Sequence, residues 1–497
     1  MRILDCTLRD GGYYTHWDFN FSIVANYLKT MSMLPIDTLE LGYRSMPQKQ
    51  YEGEYCYLPI ETLQHCRALC PNKRLAVMVN LKEVNTQTVV ELLKPCIGLI
   101  DLIRLAVRPE DLSLAAEVAM VIRSLGFEVA CNIMYMSTWK QREGFFNSLQ
   151  QLDGKVDYIW MVDSYGAVLP DEMSTIIQEV RNAIHCPLGF HGHQNLELAL
   201  ANSLCAINCG VEYVDSTITG MGRGAGNLKT ELLLTYLSKQ GWPVSFYNLS
   251  SLVDAFLEMK KEYGWGINLP YMISGANSLP QKDIMAMMSM RRYSVTDIVE
   301  ILQNNTSQQR PTYPIWQPVT KSHVMLIGGG PSVRIHQNAI VQYIRQHVDD
   351  LTLVFASSKN LQIMQALPDL PFTICLVGDE GHRLEDRELS LDQANFIVNT
   401  QLPTITYVPD VLQNRTYALP ETTPCQYADS PLQMALQAVG DRDVMLVGFD
   451  GYTAAREGAY DLMQENQAII DAYRGKLISL LPSAYQRMDF LSLYSLI

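Results

Sequence analysis

Short apolar runs alternate with longer amphipathic stretches along the first 235 residues. The runs are Ile3–Thr7, Thr38–Leu41, Leu75–Val79, Leu99–Leu105, Glu128–Ile133, Tyr158–Val162, Leu188–His191 and Tyr213–Ser216. Each precedes a segment of helical period, such as AAEVAMVIRSLG or LELALANSLCAINCG, whose closing glycine sits where a helix C-cap is expected. Eight strand-then-helix units of this length predict a (β/α)8 TIM barrel over residues 1–235. A doubly wound open sheet is the alternative.

The pattern then changes. Residues 236–303 lose the strand signal, and SSLVDAFLEMKKEYGW and DIMAMMSMRRYSVTDIVEILQ predict amphipathic helices extending the barrel. Residues 304–321, NNTSQQRPTYPIWQPVTK, are polar with three prolines and predict a linker. From 322 to 497 a new β/α alternation begins. HVMLIGGGPS, LTLVFAS, FTICLVGDE, TITYVPD and DVMLVGFDGY predict five strands of a Rossmann-like α/β domain.

Composition narrows the classes. At 497 residues, with 48 % hydrophobic and 18 % charged positions, the chain can bury ample cores. A net charge of −14 argues against a general nucleic-acid or anionic-membrane surface. The first residues hold no signal-peptide core, and no apolar stretch is of bilayer length, so a cytoplasmic homo-oligomer is expected. The 11 cysteines form no CxxC pair; Cys66/Cys70 and Cys205/Cys209, at helical spacing, read as buried small hydrophobes.

The candidate chemistry sits at the strand ends. Strand seven closes in GFHGHQN, and His191 and His193, two apart, share one face of an extended strand. In a closed eight-stranded barrel the end of strand one lies about 10 Å away, so Asp10 of TLRDGGYYTH can meet both imidazoles on one metal ion. Asp10 as a plain turn residue is the other reading. Strand two ends LELGYRS, bringing Glu40, Tyr43 and Arg44 to the same rim. Strand six ends MVDSYG, adding Asp163, and strand eight runs into the glycine-rich STITGMGRGAGN. Glu40, Tyr43, Arg44 and Asp163 are candidate substrate contacts.

LDCTLRDGG, LELGYRS, MVDSYG, HGHQN and GMGRGAGN, in that order, resemble the HMG-CoA-lyase-like (DRE-type) metal-dependent TIM barrels. The nearest look is to the 4-hydroxy-2-oxovalerate aldolases, and the likeness covers residues 1 to about 280. The resemblance implies a divalent ion, Mn2+ or Mg2+, on Asp10, His191 and His193, with Asn227 as a further ligand. It implies Arg9 as the group that stabilises an enolate oxygen, and a lyase acting on a 2-keto acid of pyruvate type and an aldehyde. The aldolases carry a catalytic histidine where this chain has Tyr13. His16, three residues on, is the candidate relocated base, and Tyr271 resembles a tyrosine some aldolases bring in. A Claisen-type acyl-CoA/2-keto-acid synthase on the same barrel, or a glycosyltransferase with a non-catalytic barrel, are the rival functions.

In the second domain Gly328, Gly329 and Gly330 lie at a strand-to-helix turn, where backbone N–H groups can receive a phosphate. With LTLVFASSKN, LVGDEGH and VMLVGFDGY this loosely resembles Rossmann-like bacterial surface-glycan transferases of the sialyltransferase and motility-accessory-factor type. That likeness implies a nucleotide or nucleotide-sugar on Gly328, Gly329, Gly330, Ser332 and Asp450, and a place in glycan biosynthesis.

Overall fold

The structure, a computed structural model, describes residues 1–49 and 51–290, a few positions between 293 and 318, and residues 321–497 apart from 379, 386–390, 400–405, 421–426 and 453–458. The chain divides into two compact units, Met1–Ile284 and Met285–Ile497. Among the described residues no helix is long and apolar enough to cross a membrane.

The first unit is the expected barrel. Its strands are β1 (Arg2–Asp5), β2 (Thr38–Tyr43), β3 (Arg74–Asn80), β4 (Leu102–Val107), β5 (Glu128–Ile133), β6 (Tyr158–Asp163), β7 (Leu188–Gly192) and β8 (Tyr213–Ser216). All pair in parallel, and β1 closes the ring by pairing with both β2 and β8. Period-two alternation sorts the side chains. Ile3, Leu39, Leu75, Val77, Ile103, Ile159, Phe190 and Val214 pack outward under the helices. Leu4, Cys6, Ala76, Leu102, Ala130, Trp160, Val162 and Tyr213 fill the interior. The floor is sealed by Tyr213, whose hydroxyl accepts from Arg2 and Arg74 at 3.1 and 3.0 Å and donates to Asp37 at 2.8 Å.

Two local features govern the rim. First, the run expected to continue to Thr7 stops at Asp5, and TLRDGGYYT is a nine-residue helix, Thr7–Thr15, rather than a glycine turn. Its glycines serve close approach: a Cβ on Gly11 would lie 2.6 Å from Met221 Sδ, and one on Gly12 would enter the Trp17 indole. Second, β2 carries a bulge. Glu40 pairs with Ala76 and Tyr43 with Met78, three residues on one strand against two on the other. The extra residue returns Tyr43 to the face that carries Glu40.

The second unit is an open, all-parallel sheet. Its strands are β9 (His323–Ile327), β10 (Leu351–Phe355), β11 (Phe372–Cys375), β12 (Ala394–Val398), β13 (Thr416–Ala418), β14 (Val444–Val447), β15 (Leu477–Ser479) and β16 (Asp489–Phe490). They lie in the order β13-β12-β11-β10-β9-β14-β15-β16, so the winding reverses between β9 and β14. Alternate residues, Met325 and Ile327 against Val324 and Leu326, enter separate cores on the two faces.

Two expectations need correction. TITYVPD, residues 404–410, is no strand among its described residues: Thr406 makes a single bridge to Gly378. The strand of that region is the apolar ANFIV of β12. Nor is 304–321 a linker throughout. Residues 303–311 lie outside the described ones, but Ile315 bridges Ala418, and Trp316 is 6 % exposed with Nε1 donating to the Ala438 carbonyl at 2.9 Å. Proline there marks an extended segment beside β13.

Candidate active site

The barrel interior turns polar toward the strands' C-terminal ends. Arg104 of β4, wholly buried, donates from Nη1 to Glu40 Oε2 (2.9 Å), from Nη2 to Asp215 Oδ2 (2.6 Å) and from Nε to Asn132 Oδ1 (3.1 Å). Its guanidinium stands over the Trp160 ring, 4.5 Å from the centroid. Glu40 Oε2 also accepts from Arg9 Nε at 2.8 Å, and Arg9 Nη1 pairs with Asp10. Asp10 Oδ2 accepts from Asn227 Nδ2 at 2.6 Å and lies 3.5 Å from His191 Nε2. Two strand ends, one helix and the glycine loop thus converge on one carboxylate.

The two imidazoles are oriented from behind. His191 Nδ1 donates to Asp215 Oδ2 and His193 Nδ1 to the Asp163 carbonyl, both at 2.8 Å. Acceptors on Nδ1 place the proton there and leave the Nε2 lone pair for an electrophile. The rings lie 4.9 Å apart, edge to face. Burial, with the neighbouring His191, pushes the His193 imidazole down to about 3, so it is neutral at ordinary pH. Burial works to raise Asp10, but Arg9 and the two histidines outweigh it and hold the carboxyl at about 2.

A divalent ion fits these residues. A carboxylate and two lone-pair nitrogens are the right kinds of donor. Asn227 Oδ1 adds a buried oxygen with no hydrogen-bond partner. Two buried guanidiniums, Arg9 and Arg104, face three carboxylates, Asp10, Glu40 and Asp215, an excess of negative charge that a cation offsets. Cys6 with His191 and Asp215 is also close enough to hold a metal. That set is poorer: burial, with Asp10 nearby, raises the Cys6 thiol well above its ordinary value, and His191 Nδ1 is already engaged.

The cavity in front of this cluster, about 60 Å3, is lined by Arg9, Asp10, Tyr13, Tyr43, His191, His193 and Arg223, with Met78, Ala106, Asn132, Met134, Val162 and Ser164. Tyr13 and Tyr43 share a hydrogen bond at 2.9 Å. Four sequence candidates lie elsewhere. His16 ends the helix in a left-handed conformation (φ 53°), its side chain 74 % exposed and 3.5 Å from Glu52. Arg44, sent outward by the bulge, clamps the carbonyls of Tyr57, Leu58 and Leu92. Asp163 shares the outward parity of Ile159 and Met161, and its carboxylate accepts the N–H groups of Ala167 and Val168, both at 3.1 Å. Tyr271 is buried on the helix Leu269–Ala276 beside Tyr14, whose hydroxyl donates to the Gly224 carbonyl at 3.2 Å, and does not line this cavity. Glu40, wholly buried, accepts from Arg9 and is not among the residues that line this cavity.

Arg104, Asn132 and Asp215 were missed. The available signal was a charge inside an apolar run, LIRLAV or YVDS, which needs a buried partner.

In the second unit the predicted residues do meet. Gly328–Gly330 and Asp450 line a cavity of about 250 Å3 at the winding reversal, with Ser357, Lys359, Glu380 and Arg383. Ser332 donates from its N–H (2.8 Å) and its hydroxyl to Asp450, so a protein carboxylate already answers the donors expected to take a phosphate. Gly328 and Gly330 are bare because the Gly448 carbonyl crosses them.

A closed parallel barrel with an arginine, an aspartate and two histidines on one rim is the frame of a C–C bond enzyme family. Residues 1–256 match the HMGL-like family model, and the chain belongs to that family. It is 28 % identical over 265 residues to 4-hydroxy-2-oxovalerate aldolase of Carboxydothermus hydrogenoformans, covering 52 % of this chain and 78 % of that one. It is 25 % identical over 305 residues to oxaloacetate decarboxylase of Mycobacterium tuberculosis, covering 60 % and 89 %. The crystal structure of the N-terminal domain of a Bacteroides vulgatus protein, described there only as a candidate aldolase, is 48 % identical. It covers 60 % of this chain and 99 % of its own, with a TM-score of 0.58.

Proposed function

We propose that the barrel is a divalent-metal-dependent aldolase or lyase that makes or breaks a C–C bond next to the carbonyl of a 2-keto acid. The observation that carries this reading is the convergence of His191, His193, Asp10 and Arg9 on one cavity, with Asn227 held against Asp10 behind it. Relatives named as a hydroxy-oxovalerate aldolase and an oxaloacetate decarboxylase support a keto-acid substrate.

Asp10, His191 Nε2, His193 Nε2 and Asn227 Oδ1 would hold the ion. When bound, it supplies a Lewis acid that makes the keto acid's adjacent carbon more acidic. The chain does the rest. Arg9, fixed by Glu40 and Asp10, presents a guanidinium to the oxygen on which negative charge develops, without reorganising. With His16 turned to solvent, the Tyr13–Tyr43 pair is assigned the proton. Burial, with Tyr13 adjoining, holds the Tyr43 phenol well above its ordinary value, so it stays protonated. Glu40, Asp163 and Asp215 act as positioning residues.

The test is deuterium exchange into the pyruvate methyl group with manganese present, read by NMR. Release of an aldehyde from 4-hydroxy-2-oxo acids, trapped with a dehydrogenase, identifies the aldolase. Release of CoA thiol from an acyl-CoA and a keto acid would favour the synthase. For the second unit our reading is a nucleotide or nucleotide-sugar in the cleft at the winding reversal, supported by the cavity's size and place. A thermal-shift screen of the full chain with such ligands tests it.

A further inference from the structure

Both buried cations of the barrel rim are matched by carboxylates, whereas a half-buried one beside them is not. Arg9 pairs with Asp10 and Glu40, and Arg104 with Glu40 and Asp215. Arg223 lines the same cavity and makes no ion pair among the described residues. Its Nε is buried without a hydrogen-bond partner, and its guanidinium stands over the Tyr13 ring, 5.1 Å from the centroid. A desolvated donor left unanswered costs stability, and a guanidinium fork is shaped for a two-oxygen anion.

The loop that presents Arg223 is built, not slack. A Cβ on Gly222 would lie 2.5 Å from Asn227 Nδ2, and one on Gly224 (φ +65°) would strike Gln281. The Gly224 carbonyl accepts from Tyr14, Asn227 N donates to the Gly220 carbonyl at 3.1 Å, and Gln194 N to that of Gly226 at 2.8 Å. The backbone on both sides of Arg223 is pinned, so its side chain is delivered to the cavity wall.

We propose that Arg223 is the specificity residue for a second carboxylate on the substrate, making the preferred substrates dicarboxylic 2-keto acids or their adducts. This rests on the keto-acid reading above. With a divalent ion added, the two guanidiniums and three carboxylates carry one net positive charge, which the keto acid's own carboxylate offsets. Arg223 adds another and calls for another anion. A single fork balances a carboxylate, whereas a phosphate dianion calls for a further cation, and Arg9 is already assigned to the oxygen next to the metal site.

The experiment measures binding to the full chain with manganese, by titration calorimetry. The dicarboxylates 2-oxoglutarate and 2-oxoadipate are compared with their uncharged-tail counterparts 2-oxopentanoate and 2-oxohexanoate, and with pyruvate. At least one dicarboxylate should bind roughly tenfold or more tightly than its counterpart, the order of a charge-assisted hydrogen-bond pair. Arg223→Gln should bring that ratio to about one, with pyruvate affinity little changed. Arg223→Lys, keeping charge without the fork, should fall between. Equal binding within each pair, or Arg223→Gln weakening pyruvate as much as the dicarboxylate, overturns the assignment. Tighter binding of phosphonopyruvate than of any dicarboxylate overturns the carboxylate class. Failure of wild type to bind any of these keto acids overturns the keto-acid reading itself, and this inference with it.

Discussion

Arg9 and Arg104 donate to the same atom, Glu40 Oε2, at 2.8 and 2.9 Å. One is at the cavity wall and the other is sealed inside the barrel. A single carboxylate oxygen therefore couples the residue assigned to charge stabilisation to the residue that, through Asp215, steadies His191. Arg104→Met should strand both carboxylates and cost about 3–5 kcal/mol in denaturant unfolding. A loss below about 1 kcal/mol would show that the network does not hold the barrel interior together.

Metal content is the direct check on the ligand set. Wild type dialysed against manganese should retain about one ion per barrel by elemental analysis. Asp10→Asn and His193→Ala should each lower affinity by at least tenfold. Equal retention in all three proteins would assign the ion elsewhere.

Arg9→Ala separates binding from chemistry. The variant should still take up manganese, because Arg9 is no ligand, while pyruvate methyl exchange falls about 100- to 1000-fold. Exchange at the wild-type rate in a metal-loaded sample would remove Arg9 from the charge-stabilising role.

Acid sensitivity follows from His193. Its folded value of about 3 lies below its ordinary 6.5, so between those values the unfolded chain binds the extra proton. Metal-free stability from this group is complete above 6.5 and is lost as pH falls toward 3, by about 1.4 kcal/mol per unit. Burial lifts the Asp163 carboxyl to about 6, which works in the opposite direction. The measurement is therefore the difference between wild type and His193→Gln, and parallel stability curves across that window would refute it.

Gly12→Ala should destabilise the rim. The new Cβ meets the Trp17 indole, whose Nε1 donates to the Arg9 carbonyl at 2.9 Å. A cost of about 1–3 kcal/mol is expected by thermal unfolding. An unchanged melting temperature would mean that Trp17 moves aside freely.

The barrel and its histidine pair were legible because both depend on strand parity, which sequence spacing encodes directly. His191 and His193 point inward for the same reason that Phe190 points outward. What failed depended on local geometry that spacing does not carry. His16 was placed by counting from Asp10, but the helix ends at Thr15 and its left-handed cap turns the imidazole outward. Arg44 was placed by an unbroken strand and lost its place to the bulge. Arg223 stood in plain view within GMGRGAGN, yet nothing in the sequence tells that among the described residues no carboxylate pairs with it.

That bulge also says which kind of change β2 can survive. Up to Glu40 the strand is read in one frame and from Tyr43 onward in the other. Substitution at Leu41 alters one contact. Deletion of a single residue between Glu40 and Tyr43 would leave two residues against two, so the bulge would vanish while Tyr43 stayed opposite Met78 on the face that carries Glu40. Arg44 would keep its outward parity and its clamp on the Tyr57 and Leu58 carbonyls. The segment can thus lose its one extra residue without parting the tyrosine pair, whereas losing both residues between Glu40 and Tyr43 would turn Tyr43 away from Tyr13.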